Sequence, residues 1–477
     1  MRPKIKYVFF ALGLLAAVLL SICESAYAQT GVITQTGALP DGATYLIEVP
    51  SNWNKTLFLY SHGYVEPGAA NPATDVGDPF TRSFMLSNGY ALAGSSYATT
   101  GWAIQQALPD QIAVLDAFEK LVGRPDRTIA WGHSLGGIIT AGLIQTNPDR
   151  FTAALPMCGV LSGGVATWNT ALDSEFAFKT LLAPGSGLQV VNITDPPVNF
   201  GIAEDALAAA QSTAQGRARI ALAAAFGDTP GWFTPLSPEP DPTDFAAQEE
   251  NQFLWDAEID FPFVFAFRAE LEFRAGGNVS WNTHVDYRKQ LEHSIDRDEV
   301  KALYKEAGLD LESDLGALED AARIDADPQA VHYLEQNIIF NGQIGIPVLT
   351  LHTKGDGLVV VENESAYKKV VDEEGNREFL RQDFVDRAGH CAFTPAETIV
   401  AVQKLVNRID TGKWHEEHAS DLNAAALALP AGFNIFPTPQ APLGVPTPPA
   451  YIDFVPARYL RPFDDGRDRC EIGRRCD

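Results

Sequence analysis

Residues 132–136 read Gly-His-Ser-Leu-Gly, between the apolar run 128–131 and the small, apolar run 137–144. This stretch constrains the fold more than any other. The order predicts a strand, a sharp turn and a helix, the setting in which G-x-S-x-G forms a nucleophile elbow. Such a turn forces Ser134 into a strained backbone conformation and lifts its hydroxyl above the sheet. Gly132 and Gly136 follow, because a side chain at either position would collide with the neighbouring strand or helix. The helix N-terminus then faces the site and favours developing negative charge. The plainer alternative is a glycine-rich turn whose serine only caps the helix.

A serine hydroxyl is a poor nucleophile near neutral pH. It needs a base, and the base needs an orienting acid. The chain has nine histidines. His62 and His133 belong to local turns, His352 lies inside a strand pattern, and His284, His293 and His332 fall in an irregular middle region. His390 stands in a turn, 387–393, just after a strand pattern, and is the expected base. Asp356, flanked by Gly355 and Gly357 directly after a strand pattern, is the expected acid, an ordinary Asx-turn being the alternative. Asp372 and Asp383 are less well placed, and Asp173 and Glu175 are fallbacks. A tetrahedral intermediate also needs two N–H donors. The backbone N–H of Leu135 is one, and that of Tyr64, in Ser61-His62-Gly63-Tyr64, is the expected second.

Strand and helix signals alternate through the first third. Strands are expected at 43–49, 56–61, 90–97, before the elbow, and at 151–157. A helix is expected at 109–122. The pattern breaks between 161 and 345 and resumes with a strand at 346–352, a helix at 365–371, a strand at 379–384 and a helix at 395–408. Such alternation predicts an α/β fold with a mostly parallel sheet and helices on both faces. The break is too long to be one loop.

These three motifs, Ser61-His62-Gly63-Tyr64, Gly132 to Gly137, and Gly355 to Val359 with Gly389-His390, resemble the α/β-hydrolase superfamily of lipase and esterase type. The resemblance implies Ser134 as nucleophile, Asp356 as acid and His390 as base. It also implies a helical cap inserted after the sixth strand. The cap and tail match nothing assignable, so substrate preference does not carry over.

The expected organisation is a signal peptide over 1–28, core segments over 29–160 and 346–423, a cap over 161–345 and a Pro-rich strap over 424–477. The signal peptide rests on Arg2, Lys4 and Lys6, an apolar run over 7–20, and Ala26-Tyr27-Ala28. The run is shorter than a membrane span requires. The exported enzyme is expected to lie outside the cell or in the periplasm. The formal net charge is -26, and losing Arg2, Lys4, Lys6 and Glu24 takes it to -28. Such acidity argues against nucleic acid and anionic membranes as partners. Of the cysteines, Cys470 with Cys476 is the favoured pair, which leaves Cys158 and Cys391 to pair or remain thiols.

Other patterns carry less. His415-Glu416-Glu417-His418 is one residue short of the zincin spacing, and residues 238–244 lack calcium-loop spacing. Phe253, Trp255, Phe261, Phe263, Phe265 and Phe267 line a pocket or pack the cap onto the core. The expected activity is hydrolysis of a carboxylic ester, on a small or polymeric substrate, through an acyl-enzyme and with no metal or organic cofactor. An amidase or peptidase on the same triad is the alternative, and a non-catalytic binding protein on this scaffold a remote one.

Overall fold

The computed structural model describes residues 31–438 and 441–463. Eight strands arise in chain order: β1 (Val32–Ala38), β2 (Thr44–Pro50), β3 (Thr56–Ser61), β4 (Ala91–Ser95), β5 (Arg127–His133), β6 (Ala153–Met157), β7 (Val348–Gly355) and β8 (Leu380–Ala388). β9 (Ile435–Thr438) and β10 (Ala441–Pro446) form a separate hairpin, and β11 (Tyr451–Ile452) returns to the main sheet. The main sheet runs β1-β2-β4-β3-β5-β6-β7-β8-β11. Pairing is parallel from β4 through β8, while β1, β2 and β11 join antiparallel. This is the α/β-hydrolase fold.

Burial on both faces explains the continuous apolar strands. In β3, Leu57 and Leu59 join the cluster containing Ile138, Ile139 and Phe118, from the helices Leu135–Thr146 and Ile104–Leu121. Phe58 and Tyr60 point the other way, into a cluster with Met85, Val400 and Leu405 from the helices Pro79–Ser87 and Pro395–Thr411. Each fully buried Leu or Phe contributes about 2 kcal/mol. A register that sets Ser61 beside Gly132 brings the ends of β3 and β5 level.

Between β6 and β7 the chain forms a largely separate helical cluster. Phe176, Phe226, Tyr287, Val300 and Leu315 are among its buried members. It lies within the span expected to be the cap, and it begins at Gly164, after the sixth strand.

Several details differ from the sequence expectations. β1 was not foreseen, because as an edge strand it is mostly exposed and shows no apolar alternation. The helix expected from 109 begins at Ile104 and carries Pro109 inside it, losing one backbone hydrogen bond. The helix Ala419–Ala428 crosses the expected boundary at 424, since Leu422 and Ala426 pack on the core. The leader over 1–28 and the pair Cys470–Cys476 lie outside the described residues. Among those described, no helix is long and apolar enough to cross a membrane.

Candidate active site

The chain turns sharply where β5 meets the helix Leu135–Thr146. Ser134 sits at φ 58°, ψ −122°, and its side chain makes no capping hydrogen bond. That conformation is costly for a residue with a Cβ. Its backbone N–H donates to the Met157 carbonyl at 3.0 Å, which pins the turn to the end of β6. A Cβ on Gly132 or Gly136 would strike the Ser61 carbonyl. Ser61 is fully buried at the end of β3, so both glycines are required by the crossing of two backbones. The hydroxyl is therefore presented, not used as a cap.

Asp356 follows β7 and is fully buried. Its Oδ1 accepts from the Val359 N–H at 3.0 Å, an Asx-type turn. The same carboxylate faces His390, with Nδ1 at 2.8 Å from Oδ2 and 3.0 Å from Oδ1. The turn and the Asp356–His390 pair thus coexist. A second histidine stands behind Asp356. His352 Nε2 lies 3.7 Å from Asp356 Oδ2, 2.8 Å from the Val359 carbonyl, and its Nδ1 is 3.1 Å from Glu364. Burial opposes charge on this ring, but Glu364 and Asp356 outweigh it and raise its pKa. Its place inside a strand pattern gave no sign of this.

A disulfide joins Cys391, next to His390, to Cys158, next to β6. Their Cα atoms are 5.3 Å apart. The loop carrying His390 is thereby held beside the strand end that also holds Ser134. His390 Nε2 lies 3.4 Å from Cys391 Sγ, and no hydrogen bond joins it to the Ser134 hydroxyl. Such contacts commonly tighten only when substrate is bound. His133, also in the elbow, is no competing base: burial, and then His390 nearby, push it down to about 4.

The β3 loop crosses directly over the elbow. A Cβ on Gly63 would lie 3.3 Å from Ser134 Cβ. His62 fixes this loop, its ring nitrogens 2.7 Å from the Gly63 carbonyl and 3.2 Å from that of Ser96, and its ring stacked on Tyr97. Ser134, Leu135 and Tyr64 line one cavity of about 140 Å³.

More of the cavity lining comes from the segments that follow β6. Phe261, Phe263 and Phe265 line the cavity, while Phe267 stacks on Tyr64 at 6.0 Å. Trp255 packs where a Cβ on Gly357 would sit, beside Asp356. The aromatic segment therefore does both things the sequence allowed. Asp173, a fallback acid, is held by Arg461, Tyr287 and Gln290. It has no bond to His390. Glu175, the other fallback, lines the cavity together with Asp256 and Asp260. The last two were not singled out from the sequence, although they stand four apart amid its densest aromatic run.

Comparison with known proteins finds relatives in sequence and in fold. The prolyl oligopeptidase family matches over residues 91–178, a span that includes the elbow. An o-phthalyl amidase of Xanthobacter agilis is 31% identical over 445 residues, covering 86% of this chain and 94% of its own. Among solved structures, an esterase from Aspergillus oryzae is similar at TM-score 0.42 and 13% identity, with 81% of both chains covered. An acylaminoacyl peptidase from Pyrococcus horikoshii is similar at TM-score 0.37 and 10% identity, over 86% of this chain and 45% of its own. The elbow on an α/β-hydrolase sheet, together with the near full-length relative, places this chain in the family of serine hydrolases that includes o-phthalyl amidase.

Proposed function

We propose that Ser134, His390 and Asp356 are the catalytic triad of an acyl hydrolase acting on a small substrate, with the backbone N–H groups of Tyr64 and Leu135 as the oxyanion hole. The observation that carries this reading is the Asp356–His390 pair, tied by its disulfide beside a strained, uncapped Ser134. His390 takes the serine proton as Oγ attacks the acyl carbon. The tetrahedral oxyanion forms against the two N–H groups, and His390 then protonates the leaving group. Water activated by His390 releases the acyl-enzyme. Asp356 holds the imidazole in one tautomer and stabilises its charged form. The helices between β6 and β7 act as the cap, and a cavity of about 140 Å³ favours a small substrate over a polymer chain.

Amide cleavage is the first reading, because the near full-length relative is named an amidase. Ester cleavage uses the same machinery and is the second, since an ester is the easier acyl donor. The Cys158–Cys391 bridge supports an oxidising compartment, consistent with an exported chain. The test is turnover of a matched anilide and aryl ester by wild type and Ser134→Ala. Activity lost in the variant, with the anilide cleaved, supports the amidase. Ester turnover alone makes it an esterase. Activity retained by a folded Ser134→Ala overturns the assignment.

A further inference from the structure

Behind the Asp356–His390 pair lies an imidazole both of whose nitrogens face acceptors. His352 sits inside β7, four residues before Asp356, and both side chains are fully buried. Its Nε2 is 2.8 Å from the Val359 carbonyl. Its Nδ1 is 3.1 Å from Glu364 Oε1, on the helix Asn363–Glu373. A neutral imidazole carries one N–H and one bare lone pair. Two arrangements therefore close both contacts: an imidazolium against a carboxylate, or a neutral ring against a protonated Glu364. The other oxygen of Glu364 favours the first. Oε2 takes hydrogen bonds from Thr350 Oγ1 at 2.6 Å and Gln382 Nε2 at 2.5 Å, and such bonds favour the charged form of a carboxyl group.

A second carboxylate acts on the same ring. Nε2 lies 3.7 Å from Asp356 Oδ2, too far for a hydrogen bond but near enough for charge to matter where water is excluded. Among the described residues, Asp356 has no lysine or arginine partner, and its two ion pairs are with His390 and His352. Burial works against charge on the His352 ring, yet Glu364, Asp356 and the Val359 carbonyl together raise its pKa. Glu362, just before the helix of Glu364, also feels the ring's charge. Tyr367, further along that helix, is pushed up by burial and then by Glu364, and stays neutral.

Val359 links the histidine to the carboxylate mechanically. Its carbonyl accepts from His352 Nε2, and its N–H donates to Asp356 Oδ1 at 3.0 Å. The same Oδ1 lies 3.0 Å from His390 Nδ1. A shift of the 356–359 turn would thus move the carboxylate relative to His390.

We propose that His352 is a positioning residue for the hydrolytic reaction: held as an imidazolium between Glu364 and Asp356, it pins the 356–359 turn through the Val359 carbonyl and places a buried positive charge beside the Asp356 carboxylate. That charge disfavours uptake of a further proton by the Asp356–His390 pair as pH falls. His390 is thereby kept free to accept the Ser134 proton. The role rests on the triad assigned above, but the state of the ring is tested apart from turnover.

Nitrogen-15 histidine labelling of Ser134→Ala reads the rings without chemistry. At about pH 8 an ordinary histidine, with a pKa of about 6.5, is neutral. His352 is expected to show two protonated nitrogens there, and a single protonated nitrogen overturns the proposal whether or not any further variant folds. His352→Gln keeps an N–H donor for the Val359 carbonyl and removes the charge. In this variant the acidic limb of kcat/KM for para-nitrophenyl acetate, which reports the Asp356–His390 pair as a unit, is expected to move to higher pH by about one pH unit, with KM little changed. Adding Glu364→Gln removes the neighbouring anion and is expected to restore most of that displacement. A histidine that served only structure would lower kcat at every pH and leave the limb in place. That result overturns the proposal and leaves the triad standing. No turnover of the ester, with the His390 signals of Ser134→Ala still displaced to a higher midpoint by His352→Gln, keeps the hold of His352 on the pair and sinks the hydrolase reading.

Discussion

Cys391 is bonded to Cys158 across 233 residues of sequence, and each is immediate neighbour to a part of the site: Cys391 follows His390, and Cys158 follows the β6 residue whose carbonyl holds the Ser134 N–H. The bridge closes the whole helical stretch between β6 and β7 into a loop and fixes the His390 loop to the sheet. Both cysteines also take positive φ, 42° and 53°, so the bridge stands at two tight backbone turns.

Removing the bridge is therefore expected to act on stability and activity together. Cys158→Ser with Cys391→Ser should cost about 2–5 kcal/mol by the chain-entropy argument. It should lower kcat more than it raises KM, since His390 loses its tether. Thermal unfolding and steady-state kinetics on the double variant check this. Unchanged kcat would show that the Asp356 hydrogen bonds alone place the base.

Ser134→Ala should leave the fold intact and lower kcat by at least about 10⁴-fold. Labelling by a serine-directed fluorophosphonate should vanish with it. Circular dichroism beside the labelling assay separates loss of chemistry from loss of structure.

Two aspartates are expected to behave differently. Asp356→Asn offers His390 Nδ1 the wrong partner and should lower kcat by about 10⁴-fold. Asp173→Asn breaks a buried contact with Arg461 instead. It should lower the melting temperature while leaving kcat within about threefold of wild type. A larger loss of kcat from the Asp173 variant would move the acid to that helix.

Stability should fall as pH rises. Burial pushes Glu299 up to about 9 and Asp296, Glu249 and Glu362 up to about 7. In the unfolded chain such groups titrate near about 4. A raised folded pKa contributes stability that is fully present below the unfolded value and is lost as pH rises through the folded one. The melting temperature is thus expected to drop between about pH 5 and pH 9. Glu299 keeps Oε2 3.1 Å from Gln252 and leaves Oε1 unpartnered. Glu299→Gln replaces the proton with an amide donor, so it should flatten that slope with little effect at the acidic end. Melting curves across this range decide it, and an unchanged slope would assign the loss to the other carboxyls.

How much was legible in the sequence follows from the range of the forces involved. The elbow was legible because its requirements are local: two glycines, a serine and the change from strand to helix lie within one short stretch. Asp356, His390, Tyr64 and Leu135 were legible as candidates because each sits in a turn directly after a strand or at the elbow, and parallel strands deliver such turns to one edge of the sheet. β1 was not legible, because an edge strand needs no apolar alternation. The sequence alone determined the order of strands and helices, the break between them and the candidate triad. Tertiary structure decided which cysteine faces which, that His352 backs Asp356, that Asp173 belongs to Arg461, and that Glu175, Asp256 and Asp260 share one cavity. These relations join residues from 4 to 288 positions apart. Where two side chains lie hundreds of positions apart in sequence, only the packing of the sheet and the helices around it determines whether they meet.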